Sequence, residues 1–262
     1  ALDWRVDDEL PSMTAEPDTD CTIVITCMGR LEHLKRTLPH NALVAGAKCV
    51  VVDYACPDRC GAWVEGHYPD VEVVRVEGRR FFNASEARNR GAAHADTRWL
   101  CFLDANSYVG PDFLTRVGPL EAGRSYHAAT TQGARTGQRG SFVCERRSFE
   151  AIGGYDEVFA GWGAEDGDLY RRLAASGVGR VGFPADLLRT IPHSDEMRTS
   201  NYADHDLQLS LLVNQVYAEI KAGLGGATSQ LPLEGRRRMH GAARAAVESF
   251  LRLRQPQDIR LT

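Results

Sequence analysis

The segment Trp99-Leu100-Cys101-Phe102-Leu103-Asp104-Ala105-Asn106 is an apolar run that ends in polar side chains. A short continuous apolar run of this kind is typical of a strand buried on both faces of a parallel sheet. Similar runs occupy residues 21–26, 49–53 and 71–76. Because these runs alternate with helical patterns, the sequence predicts βαβ units, an α/β fold with a mainly parallel sheet, and a ligand at the carboxyl ends of the strands.

The predicted helices of the N-terminal half lie between these strands. Leucines at spacings of three and four from position 31 to 38 predict a helix, and we expect Pro39 to kink or end it. Asn83 followed three residues later by Glu86 is typical of a capping box, which predicts a helix over 84–95.

The pattern is less regular in the C-terminal half. A glycine-rich stretch at 133–140 is either a lid or an ordinary hairpin loop between two predicted strands. Arg236-Arg237-Arg238 is typical of a solvated helix face rather than an anion site. The predicted strands are residues 128–132, 141–145, 178–183 and 187–191, the last two returning to the sheet, and the predicted helices are residues 164–176, 202–221 and 233–254.

Length and composition indicate an ordinary soluble globular chain. Its 262 residues suit one sizeable α/β domain at 21–195, between an acidic leader at 1–20 and a helical extension at 196–262 packed on the domain. The net charge of −4 argues against a broad nucleic-acid surface. No apolar run is long enough for a membrane span and no signal peptide is visible, so we expect a cytoplasmic protein.

The seven cysteines do not form a disulfide pattern, because their number is odd and their spacing irregular. Cys56 and Cys60 have neither CxxC spacing nor a partner pair, so the sequence does not predict a zinc site there. We therefore interpret the thiols as reduced.

Three carboxylates follow an aromatic residue in the segment Gly161-Trp162-Gly163-Ala164-Glu165-Asp166-Gly167-Asp168. They fall on the first turn of the predicted helix, where the helix dipole favours negative charge, and an acidic first turn can serve only to start a helix. A carboxylate beside an aromatic ring can also hold a sugar, whose C–H groups contact the ring while its hydroxyls contact the acid. Both interpretations stay open on these residues alone.

Further polar motifs stand at or near the ends of the predicted strands and helices. Asp53 and Asp104 each end a strand, where an aspartate can also simply cap the following turn. The others are Cys56-Pro57-Asp58, Ala87-Arg88-Asn89-Arg90-Gly91, Phe102-Leu103-Asp104-Ala105-Asn106 and Ile191-Pro192-His193.

The segment 161–168 resembles the acceptor site of inverting GT-A glycosyltransferases, namely the β-1,4-galactosyltransferases and chondroitin-polymerase-like enzymes. The strand-end motifs resemble the donor half of family-2 GT-A enzymes, and the two resemblances cover about residues 22–193. They imply a GT-A fold with Asp166 as catalytic base and with Trp162 and Glu165 at the acceptor. The positions they imply for nucleotide-sugar binding are Thr26, Arg30, Asp53, Arg88, Asp104 and Ala105.

The same resemblance implies a divalent cation, Mn²⁺ or Mg²⁺, held by Asp104, Asn106 and His193. This sequence departs from the family pattern at Asn106, where the family has a second aspartate. The amide keeps an oxygen ligand but loses the charge that makes a hard-cation ligand strong.

The resemblance thus implies an inverting glycosyltransferase that moves a hexose or N-acetylhexosamine from a nucleotide sugar, a UDP-sugar by expectation, to the hydroxyl of a carbohydrate or small molecule. Two alternatives remain. A non-catalytic carbohydrate-binding relic would agree with Asn106, whereas a sugar nucleotidyltransferase would need a glycine-rich N-terminal phosphate loop that we do not find. An NAD-dependent Rossmann enzyme is disfavoured because no GxGxxG follows the first strand.

Overall fold

The computed structural model describes residues 20–129, 139–225 and 231–254. The predicted leader, apart from Asp20, lies outside these residues, and so does the predicted lid, apart from Arg139 and Gly140. The strands are β1 (Cys21–Cys27), β2 (Ala47–Tyr54), β3 (Glu72–Val76), β4 (Trp99–Asp104), β5 (Ser107–Val109), β6 (Arg124–Ala128), β7 (Phe142–Glu145), β8 (Gly179–Phe183) and β9 (Leu188–Thr190).

A seven-stranded sheet in the order β3-β2-β1-β4-β7-β6-β8 forms the centre of the molecule. Strands β1 to β4 are parallel to one another, as predicted. Strand β7 runs antiparallel to both β4 and β6, while β8 is parallel to β6. The carboxyl ends of the four parallel strands therefore share one edge of the sheet, which is where the predicted site residues converge.

Two strand predictions need correction. The strand predicted at 128–132 lies earlier, as β6, and residues 130–132 are outside the described part of the chain. The segment predicted at 187–191 does not join the main sheet, because β9 pairs instead with β5 in a separate two-stranded sheet. A pattern of apolar residues identifies a strand but does not identify its pairing partner.

The helices are α1 (Leu31–Asn41), α2 (Cys60–His67), α3 (Ala84–His94), α4 (Phe113–Val117), α5 (Arg146–Ala151), α6 (Glu165–Ala175), α7 (Asp195–Thr199), α8 (Leu207–Leu224) and α9 (Leu233–Arg254). Helices α1 and α2 pack on one face of the sheet, against side chains such as Ile23 and Val51. Helices α3 and α6 pack on the other face, against Val24 and Phe102. The side-chain alternation along the strands thus separates two apolar layers.

Pro39 does not end α1, which continues to Asn41. The side chain of Asn41 donates from Nδ2 to the carbonyl of Ser107 at 3.0 Å and accepts from the backbone N–H of Val109 at 3.0 Å. These tertiary hydrogen bonds hold the last turn, so the one intrahelical bond that proline removes is offset.

The predicted capping box at α3 is half formed. The side chain of Asn83 accepts from the N–H of Glu86 at 2.9 Å, as expected for an N-cap. The Glu86 carboxylate does not reach back; it accepts instead from the hydroxyl of Tyr54 and the guanidinium of Arg79. Arg79, which lies outside the helix, therefore takes the place of the Asn83 N–H as the partner of the Glu86 carboxylate.

The C-terminal helices pack on the rest of the chain through an apolar cluster that joins Val158 and Phe159 to Tyr217, Ala218 and Ala243. Helix α8 begins five residues later than predicted, because the Asp206 side chain accepts from the N–H of Leu209 at 2.9 Å and so caps the helix there. None of the helices described is both long and apolar enough to cross a membrane.

Candidate active site

Three carboxylates converge on one buried arginine at the carboxyl edge of the sheet. Arg88 on α3 places Nη2 3.0 Å from Oδ1 of Asp104 at the end of β4. Its Nη1 lies 3.3 Å from Oε1 of Glu165 and 3.3 Å from Oδ1 of Asp166, both on the first turn of α6. We call these four residues the Arg88 cluster; it joins the predicted donor and acceptor halves.

The packing of α3 sets the position of Arg88. A Cβ on Gly91 would lie 2.3 Å from Cγ1 of Val24, so only glycine allows the helix to approach β1 this closely. Asn89 then fixes the facing segment, because its amide pairs with both the N–H and the carbonyl of Tyr155 at 2.9 Å. Three residues of the Ala-Arg-Asn-x-Gly pattern therefore make three different contacts from one helix: Arg88 with the carboxylates, Asn89 with Tyr155, and Gly91 with β1.

Tyr155 completes the surroundings of Asp166. Its hydroxyl donates to Oδ1 of Asp166 at 3.1 Å, and its ring lies under the Arg88 guanidinium at 5.1 Å. Sequence reasoning missed this residue, although it lies eleven positions before Asp166 in the segment with the predicted acceptor motif. Tyr202, buried between α7 and α8, also lies close enough to interact electrostatically with Glu165 and Arg88.

Burial raises the pKa of both carboxyls on α6. For Glu165, burial and then the neighbouring Asp166 charge outweigh Arg88 and raise the pKa to about 7. For Asp166, burial raises the pKa, Arg88 opposes the shift, and Asp104 adds to it. One arginine does not neutralise three carboxylates, so the site has carboxyls with elevated proton affinity, which is what a general base requires.

The loop before α6 presents Trp162 next to these carboxylates. Gly161, Gly163 and Ala164 all have positive φ, of 75°, 98° and 70°. The backbone of Trp162 is held by Ser210 of α8, whose hydroxyl accepts from the Trp162 N–H at 2.7 Å. The Trp162 ring is half-buried with the Arg198 guanidinium 5.2 Å from its centre. The sequence motif is therefore held in place by the C-terminal extension.

Asp53 occupies the floor of an open cavity of about 290 Å³ at the ends of β2 and β3, together with Arg59, Arg75 and Cys56. Both of its carboxylate oxygens accept backbone N–H groups, from Cys56 at 2.9 Å and from Gly61 at 3.0 Å. Asp53 thus caps the turn after β2, which is the alternative noted from sequence, and also faces a space large enough for a nucleobase.

The remaining predicted donor residues are spread around β1. Thr26 lies opposite Asp104 in the register of β1 and β4. Arg30 stands at the start of α1, where burial lowers the pKa of its guanidinium. Ala105 is buried, and its carbonyl accepts from the Thr37 hydroxyl at 2.7 Å, so its side chain belongs to the core.

A tether of two hydrogen bonds joins the segments that carry two of the predicted metal ligands, Asn106 and His193. The Nδ2 of Asn106 donates to the carbonyl of Ile191 at 2.9 Å, and the N–H of Ile191 donates to the carbonyl of Asn106 at 2.8 Å. This tether links the end of β4 to the segment that carries His193. Since the amide nitrogen of Asn106 is engaged, its Oδ1 is the atom suited to a cation.

His193 also has the chemistry of a ligand. Its Nδ1 lies 3.3 Å from the carbonyl of Ser194, and with a proton on Nδ1 the Nε2 lone pair is free to bind metal. Carboxylate, amide and imidazole donors together suit a borderline divalent ion such as Mn²⁺. The residues present therefore fit the implied cation.

Two glycosyltransferase family models match the chain, and together they span the sheet and the Arg88 cluster. Residues 22–143 match the model described as glycosyl transferase family 2. Residues 125–196 match the model described as the N-terminal domain of galactosyltransferase. Among curated proteins, none is significantly similar to the chain in sequence.

Solved glycosyltransferase structures share the fold. A mannosyltransferase from Pyrobaculum calidifontis, in complex with GDP-Man and Mn²⁺, has a TM-score of 0.60 at 17% identity over 94% of this chain and 83% of that one. GalNAc-T7 with UDP, GalNAc and Mn²⁺ has a TM-score of 0.58 at 16% identity over 87% of this chain, which spans only 55% of that one.

A third structure, S. aureus TarS 1–349 in complex with UDP-GlcNAc, has a TM-score of 0.54 at 12% identity over 80% of this chain and 69% of that one. The fold is the GT-A fold, as the resemblance implied. With the two family matches, the chain is a glycosyltransferase.

Proposed function

We propose that the protein transfers a hexose or N-acetylhexosamine from a nucleotide sugar to a hydroxyl acceptor with inversion of the anomeric carbon, and that Asp166 is the base. The observation that carries this proposal is the Arg88 cluster, in which Asp166 and Asp104 approach the same guanidinium from the two halves of the site. A base beside the donor site is the arrangement that a single displacement needs.

In this mechanism the acceptor hydroxyl lies between Trp162 and Glu165 and gives its proton to Asp166. Tyr155 orients the Asp166 carboxyl through the 3.1 Å hydrogen bond from its hydroxyl. Arg88, at 3.3 Å from the same oxygen, stabilises the charged form that accepts the proton. One base suffices because attack on the face opposite the leaving group needs no covalent intermediate.

On the donor side, the cavity next to Asp53 would take the nucleobase, and the UDP and UDP-GlcNAc held by two of the similar structures support a UDP-sugar. Asp104, Asn106 and His193 would hold Mn²⁺, or Mg²⁺ less well, because imidazole is a softer ligand than carboxylate or water. A bound divalent ion supplies positive charge to the leaving diphosphate. Mn²⁺ accompanies the nucleotides in two of the similar structures, which supports this assignment.

The donor is tested by a thermal-shift screen of UDP- and GDP-sugars, each with and without Mn²⁺. A donor at 100 times its dissociation constant stabilises the folded state by about 2.7 kcal/mol, so a UDP-sugar with Mn²⁺ should raise the melting temperature. Chelator should remove most of that shift, and so should His193→Ala. The exposed His67→Ala is the control. Shifts that are unaffected by chelator and by His193→Ala contradict the metal assignment.

The stereochemical proposal is tested on the product. Proton NMR of the newly formed anomeric centre should show the configuration opposite to that of the donor. Retention contradicts the single displacement, whatever the donor. Release of pyrophosphate from a nucleoside triphosphate and a sugar phosphate would instead identify a nucleotidyltransferase.

A further inference from the structure

The structure brings a third cysteine to the two that the sequence showed near each other. The Sγ atoms of Cys27, Cys56 and Cys60 all lie within 4.8 Å of one another, and all three residues are buried. Cys27 ends β1, Cys56 lies in the turn after β2, and Cys60 begins α2. We call these three residues the thiol cluster. All seven cysteines of the chain are free, and the other four lie outside this cluster.

The separation of the sulfurs suits metal coordination. With a metal–sulfur distance of about 2.3 Å, three thiolates in a trigonal plane stand about 4 Å apart. Movements of less than about 1 Å would therefore bring the three Sγ atoms to the geometry of a bound ion. No fourth His, Cys, Asp or Glu among the described residues completes the group, so three sulfur ligands are what the chain offers.

The surroundings favour the anionic form at Cys56, whose pKa is lowered by hydrogen bonds from Cys27 and Cys60, whereas the neighbouring thiols and burial raise the pKa of Cys27 and Cys60. The backbone N–H of Gly29 donates to Sγ of Cys56 at 3.2 Å, and Cys60 is the first residue of an eight-residue helix. Arg30 lies close enough to interact with Cys27 electrostatically. Backbone N–H donors, a helix N-terminus and a nearby cation are the features that support thiolates.

We propose that Cys27, Cys56 and Cys60 form a binding site for a thiophilic metal ion, and that the ion is monovalent copper. Three soft ligands without a fourth favour Cu⁺, whereas Zn²⁺ in structural sites is tetrahedral and needs four. Binding forms three Cu–S bonds and releases to solvent the proton of each cysteine that is still a thiol, with no change of oxidation state. Cys56 lines the open cavity beside Asp53, which provides a route of entry.

The site would communicate with the donor pocket. Asp53 accepts the backbone N–H of Cys56 and of Gly61, so an ion that joins Cys56 to Cys27 also fixes the turn that holds Asp53. Copper should therefore change the affinity for a nucleoside diphosphate. This consequence rests on the proposed donor role of Asp53, whereas copper binding itself does not.

The test uses the reduced full chain, titrated anaerobically with Cu⁺ in competition with a chromogenic chelator such as bicinchoninate. We expect one copper per chain, a thiolate-to-copper absorption band in the near ultraviolet, and three sulfur neighbours by X-ray absorption. Cys56→Ser should weaken binding at least 100-fold, because even lost outer-shell contacts cost 10–100-fold. Cys49→Ser, at a buried cysteine outside the cluster, should bind copper like the wild type.

Any of three results overturns the proposal: the protein retains no copper against the chelator, the copper has fewer than three sulfur neighbours, or Cys56→Ser binds copper as tightly as the wild type. Tight 1:1 binding of Zn²⁺ without binding of Cu⁺ overturns the choice of metal. If Cys56→Ser does not fold, the loss of copper affinity is measured with Cys60→Ser instead, and the thiolate-to-copper band of the wild type tests for sulfur ligation. Failure of copper binding leaves glycosyl transfer untouched, so the two proposals are separable.

Discussion

Two buried charged clusters meet at the first turn of helix α6, and their charge balance differs. In the Arg88 cluster, one cation faces Asp104, Glu165 and Asp166. The second group, which we call the Asp156 cluster, contains Asp156, Asp168, Lys221 and Arg236. There Lys221 bonds Asp156 at 2.6 Å and Asp168 at 2.8 Å, Arg236 bonds Asp156, and Arg172 bonds Asp168 at 2.9 Å, so each carboxylate is paired with two cations.

The pKa shifts follow this difference. Burial alone would raise the pKa of Asp156, but Lys221 and Arg236 outweigh it and lower the pKa. In the Arg88 cluster burial prevails, and the pKa of Glu165 rises to about 7. A buried cluster whose carboxylates are all paired with cations holds the fold together, whereas one with more carboxylates than cations has an affinity for a proton or a cationic ligand. The comparison teaches that burial of charge alone does not mark a functional site, whereas an excess of carboxylates over cations does.

The largest effect is expected for Asp166→Asn. Loss of the base should lower the rate of transfer by about 10²–10⁴-fold. The protein should still fold, because asparagine keeps an oxygen that accepts from Tyr155 and removes a buried charge. Turnover under saturating donor and acceptor measures the effect.

The exposed pair of Asp96 with Lys48 provides the control, so Asp96→Asn should leave turnover unchanged. Donor-induced thermal shifts should persist in Asp166→Asn. Near-normal turnover of the folded variant would exclude Asp166 as the base.

The next effect, Lys221→Met, tests the Asp156 cluster through stability. Removing one partner of a buried ion pair costs about 3–5 kcal/mol of folding free energy, since Asp156 and Asp168 lose a cation they share. Denaturant titration measures it, and turnover per folded molecule should stay at the wild-type level. Lys35→Met, which breaks an exposed pair with Glu32, should cost at most about 1 kcal/mol. Equal losses in the two variants would refute the distinction.

The sequence predicted the Arg88 cluster better than the Asp156 cluster for a physical reason. Asp104 ends a strand and Asp166 begins a helix, where topology brings side chains to one edge of the sheet, whereas Arg88, within α3, was predicted from the resemblance to family-2 GT-A enzymes. Asp156 is separated from Lys221 by 65 residues and from Arg236 by 80, and helical periodicity carries no information on such pairings. The predicted solvated face at 236–238 is confirmed for Arg237 and Arg238, which are exposed, but not for Arg236, which is half-buried and bonds Asp156.

Elsewhere in the chain, too, the sequence predicts single elements but not the tertiary contacts between them. Strand existence was predictable from apolar runs, but the pairing of β9 with β5 was not. The turn at Cys56 was visible in the sequence, yet the approach of Cys27 depends on the register of β1 against β2. The four parallel strands and the residues at their ends were predictable because each lies within one local pattern.

The third prediction uses pH to separate the clusters. Between the ordinary Glu pKa of 4.5 and about 7, the folded state holds more protons at Glu165 than the unfolded chain. Its contribution to stability is therefore full below pH 4.5 and is lost as the pH rises through about 7. The change is at most about 3 kcal/mol, at about 1.4 kcal/mol per pKa unit.

Unfolding free energies at several pH values measure this contribution. Glu165→Gln should flatten the decline between pH 4.5 and 7. Asp156→Asn should act in the opposite sense, because the pKa of Asp156 is lowered and its contribution is lost as the pH falls below 3.8. Identical pH profiles of wild type and Glu165→Gln would contradict the unbalanced charge of the Arg88 cluster.

The smallest effect concerns the contact by which the C-terminal extension holds the acceptor loop. The Ser210 hydroxyl accepts from the Trp162 N–H at 2.7 Å, and a Cβ on Gly161 would lie 2.2 Å from the same oxygen, so loop and helix fit closely. Ser210→Ala leaves the Trp162 N–H without this acceptor and should cost about 1 kcal/mol. Because the loop, not the base, is loosened, the acceptor KM should rise about fivefold with kcat retained. Ser176→Ala removes a hydroxyl bond to Leu173 at the other end of α6 and should leave KM unchanged. A fall in kcat without a change in KM would instead mean that α8 acts on the base through the first turn of α6.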